Sequence, residues 1–383
     1  MTRLAIVVSH PIQYYAPLFR ELAGRIRLKV YFAQKVTPAQ QGAAGFGEAF
    51  DWDVDLLSGY DWELLENVSA RPGPSHFNGA DTPGIGRRLA EGGFDAVLVF
   101  GWYLKSHVQA IRAARRLGLP VMVRGDSQLG PSGAKALAKA IAYPTLLRSF
   151  DAALYVGARS RAFYQHYRYP AGRLFHSPHC IDTDWFAARA TPENGRALRD
   201  RLGIGLEEEV VLFAGKLLPF KRPLDLVDAW PLTTSRPRLL VAGSGELEGA
   251  LSARAGDLGA PLHRLGFLNQ SEMPAAYAAA DLLVLPSTAR ETWGLVANEA
   301  LACGVPVIVS DAAGCAPDLA GDGAAGRVFP LGDVRALGQA IDAMLTRPPT
   351  PAAVAARSQA HSLAAAADGI EAAMAAVGGR AIR

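Results

Sequence analysis

Short apolar runs recur along the chain at 4–8, 28–32, 96–100, 121–123 and 152–156, then again at 210–214, 239–242, 282–285 and 305–309. Each has the length of a strand, and none alternates cleanly with polar residues. Such runs read as strands buried on both faces, which is the signature of parallel sheets covered by helices. Helix-length segments separate them. The pattern predicts a doubly wound α/β architecture, and two series of strands predict two such sheets. A polar stretch after His179 and Cys180 separates the series, which places a hinge near 180–192. The expected domains are 1–182 and 183–360, with 361–383 packing back toward the first. The Ala-rich residues from Pro351 onward read as one or two packing helices.

Two stretches break this regularity. Residues 34–60 carry Phe46, Phe50, Trp52 and Tyr60, and 71–84 is rich in Gly, Pro and polar residues. Long loops in compact domains are more often functional than empty.

The chain has 383 residues, 50% of them hydrophobic and 20% charged, which suits a soluble globular protein of two domains. Lys plus Arg number 39 and Asp plus Glu 36, a formal net charge of +3. Nothing in that balance suggests a dedicated nucleic-acid binder, and any anion must be held locally. The 39 glycines and 25 prolines are spread along the chain, as many short turns require. Three cysteines (Cys180, Cys303 and Cys315) lack metal or redox spacing, and the expected setting is reducing and cytoplasmic. No apolar run is long enough to span a membrane. Peripheral association with its inner face stays open.

Candidate chemistry gathers where strands run into helices. After 282–285 come Glu291, Thr292, Trp293 and Gly294, then a helix expected to start near Trp293 and to stop at Gly304. Glu291 sits at the carboxyl end of a strand, where open α/β sheets bind ligands. The free amides of the helix start favour an anion beside it. Glu299 lies at most ~12 Å further along the helix. After 210–214 come Gly215, Lys216 and Lys221, whose charges suit a departing diphosphate without a metal. Gly243 follows 239–242 and permits close backbone approach. Phe267 and Leu268 precede another helix and offer backbone groups to a nucleobase.

Together these loops resemble the retaining glycosyltransferases of the GT-B fold, in the glycogen-synthase-like and phosphatidylinositol-mannosyltransferase-like group. The resemblance is carried by Glu291-x7-Glu299, by the run from Ala300 through Ile308, and by Gly215-Lys216 with Lys221. It implies two facing Rossmann-like domains with a cleft, the acceptor bound mainly by the first and the nucleotide-sugar donor by the second. It implies that Glu291 contacts the donor sugar, that Glu299 contacts the ribose, and that Gly294 and Leu295 amides approach the phosphates. The implied enzyme is a hexosyltransferase using a UDP- or GDP-sugar in polysaccharide or glycoconjugate synthesis, with no cofactor and no metal. Its partners would be the donor and a sugar, lipid-linked or small-molecule acceptor, with no nucleic acid. A sugar-nucleotide 2-epimerase and a non-catalytic nucleotide-sugar-binding module are the alternatives.

The first half offers fewer signals. Pro11 suits the first turn of a helix, and His10 and Gln13 either face the ligand or cap that helix. Trp102 either stacks on an acceptor or packs the core. Asp126, also a catalytic candidate, either binds hydroxyls or caps the next helix. Asp51-x-Asp53, Asp53-x-Asp55 and Asp182-x-Asp184 superficially match metal motifs but lie away from the sheet ends. His176 and His179 beside Cys180 fit no standard zinc spacing.

Overall fold

The computed structural model describes the backbone of residues 2–43, 45, 47–130 and 134–378, with side chains for the same residues except 134–138. Phe46 therefore lies outside the described residues. The chain divides into two compact units. The first comprises Met1–Thr37, Asp55–His179 and Leu363–Arg383, the second Pro38–Val54 and Cys180–Ser362.

The first unit holds seven strands: β1 (Arg3–Val8), β2 (Arg27–Phe32), β3 (Asp61–Leu64), β4 (Ala96–Phe100), β5 (Val121–Gly125), β6 (Ala152–Tyr155) and β7 (Leu174–His176). They form one sheet in the order β3-β2-β1-β4-β5-β6-β7, and every pairing is parallel. The second unit holds β8 (Val210–Ala214), β9 (Arg238–Ala242), β10 (Leu262–Gly266), β11 (Leu282–Leu285), β12 (Val307–Ser310) and β13 (Gly326–Phe329). Their order is β10-β9-β8-β11-β12-β13, again all parallel. The order reverses between β1 and β4 in one sheet and between β8 and β11 in the other. At such a switch point neighbouring crossovers leave in opposite directions, and the carboxyl ends of the two strands are left uncovered.

The nine apolar runs all became strands, with ends shifted by a residue or two. The largest shift is at 305–309. Val305 N–H donates to Ala300 O at 2.8 Å and Gly304 N–H to Leu301 O at 3.1 Å, closing the helix Leu295–Ala302. With Gly304 at φ 81° this is a Schellman stop. Val305 belongs to it, so β12 begins two residues later. The four strands the pattern did not reveal are β3, β7, β10 and β13, the two edges of each sheet. Their residues are mostly half-buried or exposed. An edge strand packs on one side only and needs no continuous apolar run.

Another expectation failed at Pro11. The first helix is Tyr15–Ala23, and Pro11 precedes it in a loop closed by Tyr15 N–H to Ile12 O at 3.0 Å. The Ala-rich end forms two helices, Pro351–Gln359 and Leu363–Gly378. The second packs on β6, β7 and the helix Tyr15–Ala23 within the first unit. A Cβ at Gly369 would lie 1.8 Å from His176 O, so glycine sets how closely that helix approaches.

Candidate active site

The carboxyl ends of β8 and β11, neighbours at the switch point of the second sheet, carry the densest chemistry. After β8 the chain passes through Gly215 and Lys216, makes a 3-10 turn at Pro219–Lys221, and enters the helix Pro223–Ala229. Its backbone is pinned to the loop after β9. Gly215 N–H donates to Ala242 O at 2.9 Å and Leu217 N–H to Ser244 O at 2.8 Å, extending the sheet ladder beyond the strands. Gly243 sits in this contact at φ 141°, and a Cβ there would lie 1.9 Å from Gly215 O. No side chain fits, so the two loops stay in register only with glycine.

The loop after β11 is held as firmly. Thr288 N–H donates to Phe220 O at 2.8 Å, which ties it to the β8 loop. Glu291 O accepts from Gly314 N–H at 2.9 Å and Trp293 O from Cys315 N–H at 3.1 Å. Between these anchors Lys221 Nζ forms an ion pair with Glu291 Oε2, and Ser287 Oγ donates to the same oxygen at 3.3 Å. The two charged side chains are each 13% exposed, well removed from bulk screening. Lys216 completes the group. Burial pushes its pKa down first, the charge of Lys221 adds to that, and Glu291 opposes it. Two lysines and one glutamate thus stand together at the ends of β8 and β11.

The helix beside them starts at Leu295 rather than Trp293. Gly294 is its N-cap at φ 105°, where a Cβ would meet Leu285 Cδ2 at 2.5 Å. The first amides of a helix lack carbonyl partners four residues back, so those at Leu295 and Val296 are donors for an anion. The Trp293 ring turns inward instead: it is 4% exposed and its Nε1–H donates to Asn298 Oδ1 at 2.7 Å. Thr292 is exposed and Leu295 half-buried. Glu299 is 4% exposed and accepts a 2.6 Å hydrogen bond from Tyr277 OH, so its carboxylate lies beneath the surface, held by the protein's own hydroxyl.

Phe267 and Leu268 follow β10 and are half-buried. Here the structure adds residues that sequence reasoning missed. Phe50 lies against Phe267, ring centroids 4.4 Å apart. Asn269 Nδ2–H donates to Asp51 O at 2.8 Å, and Asp53 accepts from Ser271 N–H at 3.2 Å. A Cβ on Gly45 would sit 3.2 Å from Lys216 Cδ. The described residues of 38–54 therefore lie along the loops after β8 and β10. The aromatic density of 34–60 was the available signal. Asp53, read as part of a metal-like pattern, serves as a backbone acceptor. Asp55 likewise accepts from Leu57 and Ser58 N–H, and Asp182 caps the helix Thr183–Arg189. Among the described residues no group of three or more His, Cys, Asp or Glu converges on a metal-sized site.

The first unit has its own pocket, about 220 Å³, at the carboxyl ends of β1, β4 and β5. His10, Trp102, Tyr103, Arg124, Asp126 and His179 line it. Burial pushes His10 down to about 4, so the ring is neutral near pH 7, with Nδ1 and Ser9 Oγ 2.9 Å apart. Gln13 is buried outside this wall. Trp102 packs in the core, stacked on Phe163 with ring centroids 6.2 Å apart, and it also lines the pocket. Asp126 lies eight residues before Ala134, the first described residue of the next helix. Arg124, 1% exposed, was not singled out in the sequence. Its Nε–H donates to Ser177 Oγ at 3.0 Å and its NH2 to Pro178 O at 2.6 Å.

Residues 195–361 match the family model Glycosyl transferases group 1. The chain is 35% identical over 195 residues to a GDP-mannose-dependent monoacylated alpha-(1-6)-phosphatidylinositol monomannoside mannosyltransferase of Corynebacterium glutamicum, covering 49% of this chain and 50% of that protein. It is 36% identical over 177 residues to a D-inositol 3-phosphate glycosyltransferase of a Mycobacterium species, covering 44% and 38%. The chain resembles the GT-B glycosyltransferases of the phosphatidylinositol-mannosyltransferase-like group.

It spans about half the length of the curated relatives it matches. Among solved structures, Anabaena Alr3699/HepE in complex with UDP and glucose superposes with a TM-score of 0.71 at 18% identity, over 98% of this chain and 100% of that one. A glycosyltransferase of Rickettsia africae gives 0.73 at 13% identity, over 98% of each chain. These likenesses establish the fold: two Rossmann-like doubly wound units in one chain, the GT-B architecture. No helix among the described residues is long and apolar enough to cross a membrane.

Proposed function

We propose that the chain is a retaining glycosyltransferase that moves a sugar from a nucleoside-diphosphate donor to an acceptor hydroxyl, without a metal. The observation that carries this reading is the Lys221–Glu291 ion pair beside Lys216, at the switch point of the second sheet. A diphosphate gains negative charge as its bond to the sugar breaks. Preorganised cations next to helix amides stabilise that charge without reorganisation. Glu291 keeps Lys221 oriented and accepts hydrogen bonds from sugar hydroxyls.

In the front-face step implied by the resemblance, the bond from the anomeric carbon to the phosphate oxygen breaks. The acceptor oxygen bonds to that carbon on the same face, and its proton passes to the departing phosphate. Nothing is oxidised, and no group beyond donor and acceptor is consumed. The donor base is guanine or uracil: the Corynebacterium glutamicum relative is named GDP-mannose-dependent, and the Anabaena neighbour holds UDP. The pocket lined by His10, Tyr103 and Asp126 supplies neutral and anionic acceptors for a hydroxyl-rich substrate, which suits a sugar or lipid-linked acceptor.

The test is kinetic. Lys221→Ala and Glu291→Ala each remove a charge-assisted contact worth about 2–4 kcal/mol in the transition state, a loss of roughly 30- to 1,000-fold in kcat/KM. Near-full transfer by both variants overturns the reading. EDTA is expected to leave the rate unchanged. Product analysis with GDP- and UDP-sugars separates transfer from epimerisation, which yields an isomeric nucleotide sugar without an acceptor.

A further inference from the structure

A second groove of the first unit, about 650 Å³, lies at the opposite end of its sheet from the pocket of His10. Phe150 comes just before β6 and Arg173 just before β7, so the groove sits at the amino ends of these strands. Its rim carries Arg148, His166, Arg168 and Arg173, and its floor includes Pro144, Tyr167 and Tyr169. Among the described residues no Asp or Glu lines it. Asp151, next along the chain, is occupied by Val121 N–H at 2.9 Å.

Among the described residues the guanidiniums of Arg148, Arg168 and Arg173 make no side-chain hydrogen bond and no ion pair. Elsewhere the arginines Arg25, Arg88, Arg199, Arg238, Arg254 and Arg357 each pair with a carboxylate. An arginine can simply neutralise a helix end, and two helices, Ala134–Leu147 and Ala158–His166, do end here. That explanation falls short on two counts. The terminal carbonyls already have backbone partners: Pro144 O takes Arg148 N–H, Leu147 O takes Phe150 N–H, Gln165 O takes Arg168 N–H and Tyr164 O takes Tyr169 N–H, at 2.9–3.3 Å. Each helix end also carries only about half a negative charge, so two ends offset roughly one of three cations. The chain further holds Arg168 at φ 56°, a left-handed conformation that costs a non-glycine residue free energy.

The geometry points to this groove as a binding site for a phosphate-bearing group. Guanidinium forks match phosphate oxygens in pairs, and the ring and proline floor receives the adjoining apolar or cyclic part of the ligand. The volume is that of a small-molecule site. The same chemistry is offered by a free phosphorylated molecule or by the headgroup of an anionic lipid. The inference does not depend on the transferase reading, since no residue of the groove belongs to the proposed active site.

The experiment compares the full chain with the triple variant Arg148→Gln, Arg168→Asn, Arg173→Gln. Asparagine is chosen at 168 because it tolerates the left-handed backbone. Hydrogen exchange with pyrophosphate is expected to protect 144–150 and 166–173, with affinity about tenfold weaker or worse in the variant. Protection at 215–221 and 286–295, the proposed donor loops, stays as in the parent chain and separates the two sites. Co-sedimentation with phosphatidylglycerol vesicles, against phosphatidylcholine vesicles, is the second arm. Pyrophosphate protection alone assigns the site to a free phosphate, and selective loss of vesicle binding in the variant assigns it to a headgroup. A triple lysine variant retains charge and is expected to rescue part of the binding, which guards against a folding defect. If the glutamine variant, melting like the parent, loses neither, the proposal is overturned.

Discussion

The two sheets share one topology and differ in what stands at their switch points. At the ends of β8 and β11 the loops are locked by glycines, and a lysine–glutamate pair is presented with a second lysine beside it. At the ends of β1, β4 and β5 a neutral histidine faces a pocket whose buried cation, Arg124, is bonded to neutral oxygens. The first arrangement gathers lysine charge around a single carboxylate. The second braces its own walls and offers hydrogen-bonding groups. Fold thus sets where a ligand can enter, and local chemistry sets which one.

The largest blow to this contrast comes from Gly243→Val. The new side chain collides with Gly215 O and meets a backbone that valine avoids, at a cost of about 3–5 kcal/mol. Nucleotide binding by calorimetry and the urea midpoint of the second unit are both expected to fall, while the first unit holds. If the variant binds nucleotide like the parent, the glycine lock is not what shapes the site.

Arg124→Met probes the other end. It removes the guanidinium donor from Pro178 O and one donor from Ser177 Oγ, which still donates to Ala366 O at 2.9 Å, and is expected to cost about 1–3 kcal/mol in the first unit's urea unfolding. Nucleotide affinity is expected to stay within twofold. A drop in nucleotide affinity as large as that of Gly243→Val would erase the distinction between the two sheet ends.

The smallest effect is one of pH. Burial pushes both His10 and His107 from 6.5 down to about 4. Between those values the unfolded chain binds more protons than the folded one, so stability rises with pH across this window and is lost as pH falls from about 6.5 toward 4. Both residues lie in the first unit, which is expected to melt a few degrees lower at pH 5 than at pH 7. His107→Phe should flatten that dependence. An unchanged slope would show that His107 does not carry it.

Interior strands were legible because burial on both faces demands an unbroken apolar run, as in Val210–Ala214 and Ala96–Phe100. Edge strands such as Asp61–Leu64 were not, because one open side relaxes that demand. The residues of the second switch point were legible as well. Lys216, Lys221 and Glu291 each follow a recognisable strand, and proximity to a strand end is itself a positional statement. Trp293 shows the limit of that logic: Thr292 beside it is exposed while its own ring turns inward to Asn298. Arg124 shows the converse, since a single arginine at the end of an apolar run gives no sign of being the largest fully buried side chain in its unit.

By itself the sequence determined the two parallel sheets, the strands at their centres and the polar residues at the strand ends, because these follow from periodicity and local order. Tertiary structure decided the pairing of Lys221 with Glu291 across a separation of 70 positions, the burial of Glu299 under Tyr277, and the docking of Phe50 beside Phe267. Those depend on which loops meet in space, and strand order, which no local pattern encodes, is what brings them together.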